Sequence, residues 1–578
     1  MYNSSGNYEV FAYPQGPGNV EHKYVYIVGT GFAALSVACH LVRDARMHGS
    51  HIHIFEKNSI PGGACNGFQY ASNCYRMYSG WEMDRHCTVL RNVLRSISSS
   101  KSKGLHVLDD CDWLKQKDPA VFRIRIIQNR GKRIDDDRKF DLSDQAIFEI
   151  AQLFVTPDEE LQGKTVTDFF DEEVFQSNFW LYCRSVFAFS NWHSALELKR
   201  YLHRYLHYLN TVDSDGSQSI QYNPYESLIL PMVRDLKEAG VQFHYDANVI
   251  HVDFDIQPHQ KSVRHLTLQI EGEEEVLDLR EDDLVFLPLG NCMENPAFGD
   301  QNTPAQLDSE FKSKGGWTLW KQIAEQDASF GHPEMFCSNP EKTSWVSATA
   351  TMLDDRIPSY IQKFFSRDFI SRGGEAVVQD SNWLIRFRWQ SHTPNQPKGQ
   401  PICNICGLTP NQPGNFVKKP MRDCSGREIC MEWLYHLGVP ENQIEEWAAN
   451  SASTIPCILP YFTAALAPRS RGDRPDIVPE GAVNFAFIGQ FAELAQDATF
   501  TAEYAMRTGV EAVNTLLHMN WDIPEVWDSM YDVRCLLNAI VKLRDGKKIT
   551  DMDQTLRESL GELYHTKMEE LLREYHVI

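Results

Sequence analysis

Two glycines and an acid, Gly29, Gly31 and Glu56, stand where a bound dinucleotide would need them. The chain runs Tyr24-Val-Tyr-Ile-Val28, then Gly29-Thr-Gly-Phe-Ala-Ala34, then a helical stretch through Leu41. An apolar, β-branched strand thus passes through a glycine turn into a helix. Gly29 permits the tight turn. Gly31 lets the backbone approach a pyrophosphate at the helix N-terminus, where unpaired amides favour an anion. Ala34 stands in for the third glycine and still allows close helix–strand packing. A second strand, His51-Ile-His-Ile-Phe55, ends at Glu56, 22 residues after Ala34, where an acid grips a ribose hydroxyl. Pro61-Gly62-Gly63 follows, a turn placed after the second strand in many flavoproteins. The glycine pattern alone is weak. Strand, glycine turn, helix, strand, acid and Gly-Gly in that order are specific.

A second cofactor-like segment distinguishes FAD from NAD. Val483-Asn-Phe-Ala-Phe-Ile-Gly489 reads as a buried strand ending in glycine, followed by Phe491-Ala-Glu493 and a helix over 499–513. FAD enzymes often close the flavin site with such a late strand–glycine–helix element, and simple NAD dehydrogenases do not need one. Gly489 and Glu493 are therefore candidate FAD contacts. Strands over Val241–Tyr245, Val249–Val252 and Leu284–Leu287 return the chain to the cofactor domain, the last ending at Gly290 and Asn291, a further candidate contact.

These elements imply an α/β fold. A discontinuous Rossmann-type FAD-binding domain is expected from 20–75, 225–300 and 455–518. A mixed α+β substrate domain is expected from 76–224 and 301–454. An N-terminal arm (1–20) and a helical C-terminal segment (520–578) complete the chain. Helices are expected over Thr88–Ile97, Ser143–Phe154, Val166–Phe175 and Ala195–Leu209, and strands over Trp383–Trp389 and Ile402–Leu408. At the C-terminus, Met552–Leu560 and Tyr564–Tyr575 read as helices.

Bulk properties narrow the function. The 578 residues exceed the roughly 250–300 at which single cores stop growing. A net charge of -22 excludes a generally basic nucleic-acid footprint. No apolar run is long enough for a transmembrane helix, and the N-terminus lacks the pattern of a signal peptide. The 14 cysteines follow no disulfide framework, so a reducing, cytoplasmic setting is expected. Cys403 and Cys406 have CxxC spacing but stand alone in an apolar strand, which favours plain packing.

Longer strings carry a family likeness. Ile27-Val-Gly-Thr-Gly31, Ser177-Asn-Phe-Trp180, Trp192-His-Ser-Ala195, Glu432-Trp-Leu-Tyr-His-Leu-Gly-Val-Pro440 and Arg471-Gly-Asp-Arg-Pro475 are among them. On these the chain closely resembles, nearly end to end, the oleate hydratases, also called myosin-cross-reactive antigens. The resemblance implies an enzyme that uses FAD and adds water across a cis double bond of a long-chain unsaturated fatty acid without net redox change. It implies that Glu82, in Tyr78-Ser-Gly-Trp-Glu-Met83, activates water. It implies that Tyr201, in Lys199-Arg-Tyr201, protonates the double bond. By pattern alone Tyr201 belongs to an apolar helical face with Leu198, Leu202, Tyr205 and Leu209, and Glu82 is a loop acid. Members of the family are commonly homodimers that work on membrane-derived lipid. Leu560, Leu563, Met568, Leu571 and Leu572 fit ordinary packing best, with a bilayer surface or a partner subunit as the alternatives.

The sequence departs from the family at three places around the implied active site. The family's loop reads Arg-Gly-Gly-Arg-Glu-Met. Here Tyr78, Ser79 and Trp81 replace its first arginine, first glycine and second arginine, around Gly80. Gly80 and Trp81 would sit by the flavin, and Tyr78 and Trp81 by the substrate. Arginine's planar donors are not reproduced by Tyr or Trp. Pro224 takes the place of a glutamine. In Phe387-Arg-Trp-Gln-Ser-His392 only His392 is kept of a substrate-carboxylate site, with Arg386 or Arg388 as the alternative cation. Aromatic faces can stabilise a carbocation. The alternative chemistry is therefore protonation of a terpenoid or polyene alkene, followed by isomerisation or cyclisation without added water.

Overall fold

Short runs of β-branched and aromatic residues build the central layer. Val25–Val28 pairs in parallel with Ile52–Phe55 on one side and with Leu284–Pro288 on the other, Val25 lying opposite both Ile52 and Leu284. Phe485–Ile488 and Gln242–His244 add the outer strands. The five-stranded order is Phe485–Ile488, Leu284–Pro288, Val25–Val28, Ile52–Phe55, Gln242–His244. This computed structural model describes residues 17, 19–65, 68–71, 74–76, 82–83, 86–100, 103–117, 124–133, 139–206, 209, 218–219, 224–313, 315–365, 368–371, 373–390, 400–519, 521, 523–547 and 573–574.

Parallel strands need cover on their faces. Helix Phe32–Arg43 packs on Val25–Val28 and Leu284–Pro288, and helix Ala502–Leu516 on Phe485–Ile488; Val25, Ile27, Ile52 and Ile54 are fully buried. The two helices cross at Gly509. A Cβ there would stand 2.3 Å from Ser36 Oγ and 2.6 Å from the Ala33 carbonyl oxygen. Ser36 Oγ donates to the Met506 carbonyl at 2.9 Å, stitching the crossing. Gly509→Val is expected to force the helices apart and cost about 2–3 kcal/mol. Thermal unfolding checks this: the midpoint should fall by several degrees while far-ultraviolet dichroism at low temperature is unchanged.

A three-stranded antiparallel sheet (Ala247–Gln257, Gln260–Ile270, Glu273–Asp278) flanks the parallel layer. It absorbs Val249–Val252, which the sequence reading assigned to the return strands of the cofactor domain. A tight turn joins its first two strands, and strands joined so closely pair antiparallel. An eight-stranded sheet forms the other half. Its order is Ala297–Phe298, Ala452–Leu459, Trp345–Met352, Ile402–Gly407, Ile385–Trp389, Glu375–Val378, Ile124–Gln128, Lys132–Arg133. Residues 455–459, expected in the cofactor part, thus lie in this second sheet, Trp345 opposite Leu459. Helix Gly426–His436 covers one face with Trp433 and Leu434. Trp345, Cys457, Leu459 and Phe462 cluster on the other face with Phe500 packed against them. Cys403 and Cys406 fall in these two different clusters, each packed among apolar side chains.

Helices Asp144–Val155, Asn178–Phe187 and Ala195–Tyr205 share a third core, to which Val533–Leu543 contributes Ala539 and Leu543. The helix expected over Val166–Phe175 is split. A 3₁₀ turn, Val166–Asp168, is closed by a Thr165–Asp168 capping box, and a new helix, Glu172–Gln176, starts after extended Asp171. No helix among the described residues is long and apolar enough to cross a membrane. The expected helices Met552–Leu560 and Tyr564–Tyr575 lie outside the described residues apart from 573–574.

Four histidines make the fold acid-sensitive. Burial takes the His193 imidazole down to about 3, and its Nδ1 accepts the Ser190 N–H at 2.8 Å. Burial also lowers His40 and His244, and burial with neighbouring His244 and His51 lowers His53. Each is depressed in the fold, so the fold favours the neutral ring. That stability is fully present above the unfolded histidine value of about 6.5 and is lost as pH falls below it. Urea midpoints should therefore drop between pH 7 and 5. His193→Gln should flatten the slope by up to about 1.4 kcal/mol per pH unit, one proton's share.

Candidate cofactor cavity and active site

The first strand, the glycine turn and the helix after it open onto a cavity of about 490 Å³. Gly29 holds φ +79° and donates its N–H to the Phe55 carbonyl at 2.7 Å, which ties the turn to the second strand. Gly31 is the N-cap of helix Phe32–Arg43. A Cβ on it would meet no atom within 4 Å, so its backbone faces open cavity. Gly63 packs on this turn, where its Cβ would lie 3.3 Å from Gly31 Cα. Gly489, at φ +92°, is likewise open. Gly29, Gly31, Ala34, Glu56, Gly62, Gly63, Asn291 and Gly489 all line the one cavity. A helix N-terminus at the cavity, glycines where a side chain would intrude, and a buried acid fit a dinucleotide.

Sequence reasoning missed several lining groups. Thr30 is fully buried and bonds both Glu56 and the Gly62 N–H. Lys57 and Glu294 form an ion pair at the cavity, beside the N-terminus of helix Gly316–Ala324. Glu294 lies 237 residues from Lys57, so no local pattern announces the pair. Asn291 Oδ1 accepts the Met293 N–H at 2.8 Å, and its carbonyl accepts Trp317 Nε1–H at 3.1 Å.

Two of the expected contacts lie outside the described lining of this cavity. Glu493 does not line the cavity. It is held by Arg200 (3.1 Å) and Arg469 (2.9 Å) in a buried network that also pairs Glu197 with Arg469 (2.8 Å) and Arg474 (3.3 Å). Burial by itself raises the Glu493 carboxyl, but Arg469 and Arg200 take it down to about 2. Arg388 is buried on the inner strand Ile385–Trp389, opposite Glu375 in register. Arg386 reaches Glu375 at 2.5 Å, and Arg388 lies 3.9 Å from it. Glu375 thus balances the strand's charge within the sheet, and neither arginine lines the cavity.

Tyr201 sits directly behind the cavity wall. Its oxygen accepts the Phe500 N–H at 3.1 Å, and Phe500 and Thr501 line the cavity. Phe187 and Phe189 pack edge-on against the ring. Burial pushes the phenol well above its ordinary range, and the Phe500 N–H pulls the other way. The Glu82 strand, Glu82–Met83, pairs with Gln218–Ser219 and lies against helix Ala502–Leu516, the helix that begins at the cavity wall. Pro224 is buried ahead of Tyr225, whose ring lies 3.2 Å from where a Gly62 Cβ would be. The residue after Pro224 thus abuts the Gly62-Gly63 turn. Tyr78, Gly80, Trp81 and His392 lie outside the described residues.

A family model for the MCRA family matches residues 22–514. The chain belongs to the MCRA family. Within known proteins it is similar to an oleate hydratase of Streptococcus pyogenes serotype M49 (strain NZ131), 37% identical over all of both chains. It is also similar to a linoleate hydratase of Lactiplantibacillus plantarum, 27% identical over 84% of this chain and 91% of that one. Among solved structures, a cyclohexylamine oxidase from Brevibacterium oxydans IH-35A aligns with TM-score 0.48 and 11% identity over 86% of this chain and 99% of that one. The MCRA match spans every strand of the parallel sheet and the whole cavity lining.

Proposed function

We propose that this MCRA-family chain is a FAD-dependent hydratase that adds water across a cis double bond of a long-chain unsaturated fatty acid. The observation that carries the reading is Tyr201: a buried phenol held by a main-chain N–H of the cavity wall. The end-to-end identity with an oleate hydratase and the likeness to a linoleate hydratase support the substrate class.

Hydration of an unactivated alkene needs an acid on one side and aligned water on the other. Tyr201 gives its proton to one alkene carbon. The new C–H bond takes the π electrons, and the O–H pair stays on the phenolate oxygen, to which the Phe500 N–H donates a hydrogen bond. Water adds to the second carbon and loses its proton to Glu82, so the product gains H and OH with no change of redox state. Apolar Phe187 and Phe189 keep bulk water from the phenol, which strengthens the Phe500 hydrogen bond. When bound, FAD would be held by the Gly29–Ala34 turn, Glu56 and the Gly62-Gly63 turn, and it would supply electrostatic stabilisation rather than electrons.

Mass spectrometry of products tests the reading. The purified chain with FAD and a reductant, given oleate and linoleate, should yield products heavier by one water, and Glu82→Ala should lose them. Products of unchanged mass would replace the reading with isomerisation or cyclisation. Substrate-dependent bleaching of the flavin would replace it with oxidation. The same reading takes a homodimer, checked by light scattering; flotation with anionic vesicles separates ordinary packing of the C-terminal segment from its alternative, contact with lipid.

A further inference from the structure

Glu56 is already fully engaged by its own chain. Its Oε2 accepts the Thr30 N–H at 3.1 Å and the Thr30 hydroxyl at 2.5 Å. Its Oε1 accepts the Asn58 N–H at 2.9 Å and the Asn58 side-chain amide at 2.7 Å. A carboxylate offers about four lone-pair sites, so a ribose hydroxyl reaching this acid must take one from a donor now in place. Two of the donors are main-chain and fixed. The two side-chain donors differ. The Thr30 hydroxyl also accepts the Gly62 N–H at 2.9 Å and is fully buried, so it is pinned between the glycine turn and the Gly62-Gly63 turn. Asn58 is only half-buried, and among the described residues its amide has no other partner.

We propose that Thr30 is a positioning residue that presents Glu56 to the adenosine ribose of the cofactor, and that the Asn58 amide is a place-holder which a ribose hydroxyl displaces. The exchange conserves the number of hydrogen bonds to a buried carboxylate, which would be costly to leave unpaired. Thr30 works through Glu56 and fixes its rotamer. Asn58 keeps the acid satisfied until the hydroxyl arrives. The inference rests on the FAD reading above.

Apoprotein titrated with FAD, and with FAD whose adenosine ribose lacks both hydroxyls, tests this through quenching of flavin fluorescence. Thr30→Val should weaken FAD about tenfold, and Thr30→Ser should restore most of it. The dideoxy cofactor should bind the wild type about tenfold less tightly, and the Thr30→Val penalty should nearly vanish with it. Asn58→Ala should not weaken FAD. A Thr30→Val penalty equal for both cofactors would make Thr30 merely structural, and an Asn58→Ala loss as large as that of Thr30→Val would remove the place-holder; either overturns the proposal. Should Thr30→Val fail to fold, Thr30→Ser and the dideoxy comparison on the wild type still decide it. A wild type that binds no FAD overturns the cofactor reading as well. A wild type that binds FAD but ignores its ribose hydroxyls overturns this proposal alone.

Discussion

Tyr201→Phe is expected to lower turnover about a thousandfold, within the range typical of a lost general acid. The change removes one oxygen from a ring enclosed by Phe187, Phe189 and Tyr205. It leaves the Phe500 N–H without its acceptor, a cost of about 1–3 kcal/mol. Turnover therefore has to be read beside the thermal midpoint and FAD content, both of which should survive. The pH dependence adds a second test. Burial raises the phenol, with only the Phe500 N–H and the Thr499 hydroxyl acting against it, so the proton stays in place across the working range. A rate profile should show no alkaline fall from this group below about pH 10. A Tyr201→Phe enzyme within tenfold of wild type would place the acid elsewhere.

Glu197→Ala is expected to be the most destabilising single change considered, costing about 3–5 kcal/mol in urea unfolding. Glu197 is fully buried with Arg469 at 2.8 Å and Arg474 at 3.3 Å. Removing it strands buried guanidinium charge, with Glu493 left to answer Arg469. Burial raises the Glu197 carboxyl, but Arg474 and Arg469 overcome this and lower it. A carboxyl depressed in the fold stabilises above its unfolded value of about 4.3, and that contribution is lost as pH falls through the folded value. Glu197→Gln should accordingly flatten the acid limb of the stability profile. Glu197 lies one helical turn before Tyr201, and its network joins helix Ala195–Tyr205 to Arg469 and Arg474. Turnover in Glu197→Gln should fall several-fold, because the acid's helix is less firmly held.

The neutral histidines and the Gly509 crossing show why some features resist local reading. Nothing near His193 in the sequence says that it is buried and uncharged. Gly509 looks like a helix defect until Ala33 and Ser36 arrive from 470 or so residues away. By contrast, Ser143, Ser194 and Ser425 announce their helices, since each side chain accepts an N–H two or three residues on. Caps and glycine turns are short-range and carry their own geometry. Helix crossings and charge networks are made by partners the chain brings together late.

The sequence by itself determined the dinucleotide turn from Gly29 to Ala34, the acid at Glu56, the Gly62-Gly63 turn, the α/β class and the family. The family rests on the likeness of strings spread along the chain; each of the others rests on backbone conformation or hydrophobic periodicity within a few tens of residues. Only the tertiary structure decided where charge goes. Glu493 follows Gly489 in the expected cofactor segment, yet Arg200, 293 residues earlier, and Arg469 claim it. Arg388 is answered inside its sheet by Glu375, which antiparallel pairing sets opposite it. Strand Ala452–Leu459 leaves the cofactor half because Trp345–Met352 offers it eight residues of ladder. Tyr201 and Phe500, 299 residues apart, meet for the same reason. A buried charge or polar hydrogen takes whichever complementary partner packing brings within reach, and that choice is made in space.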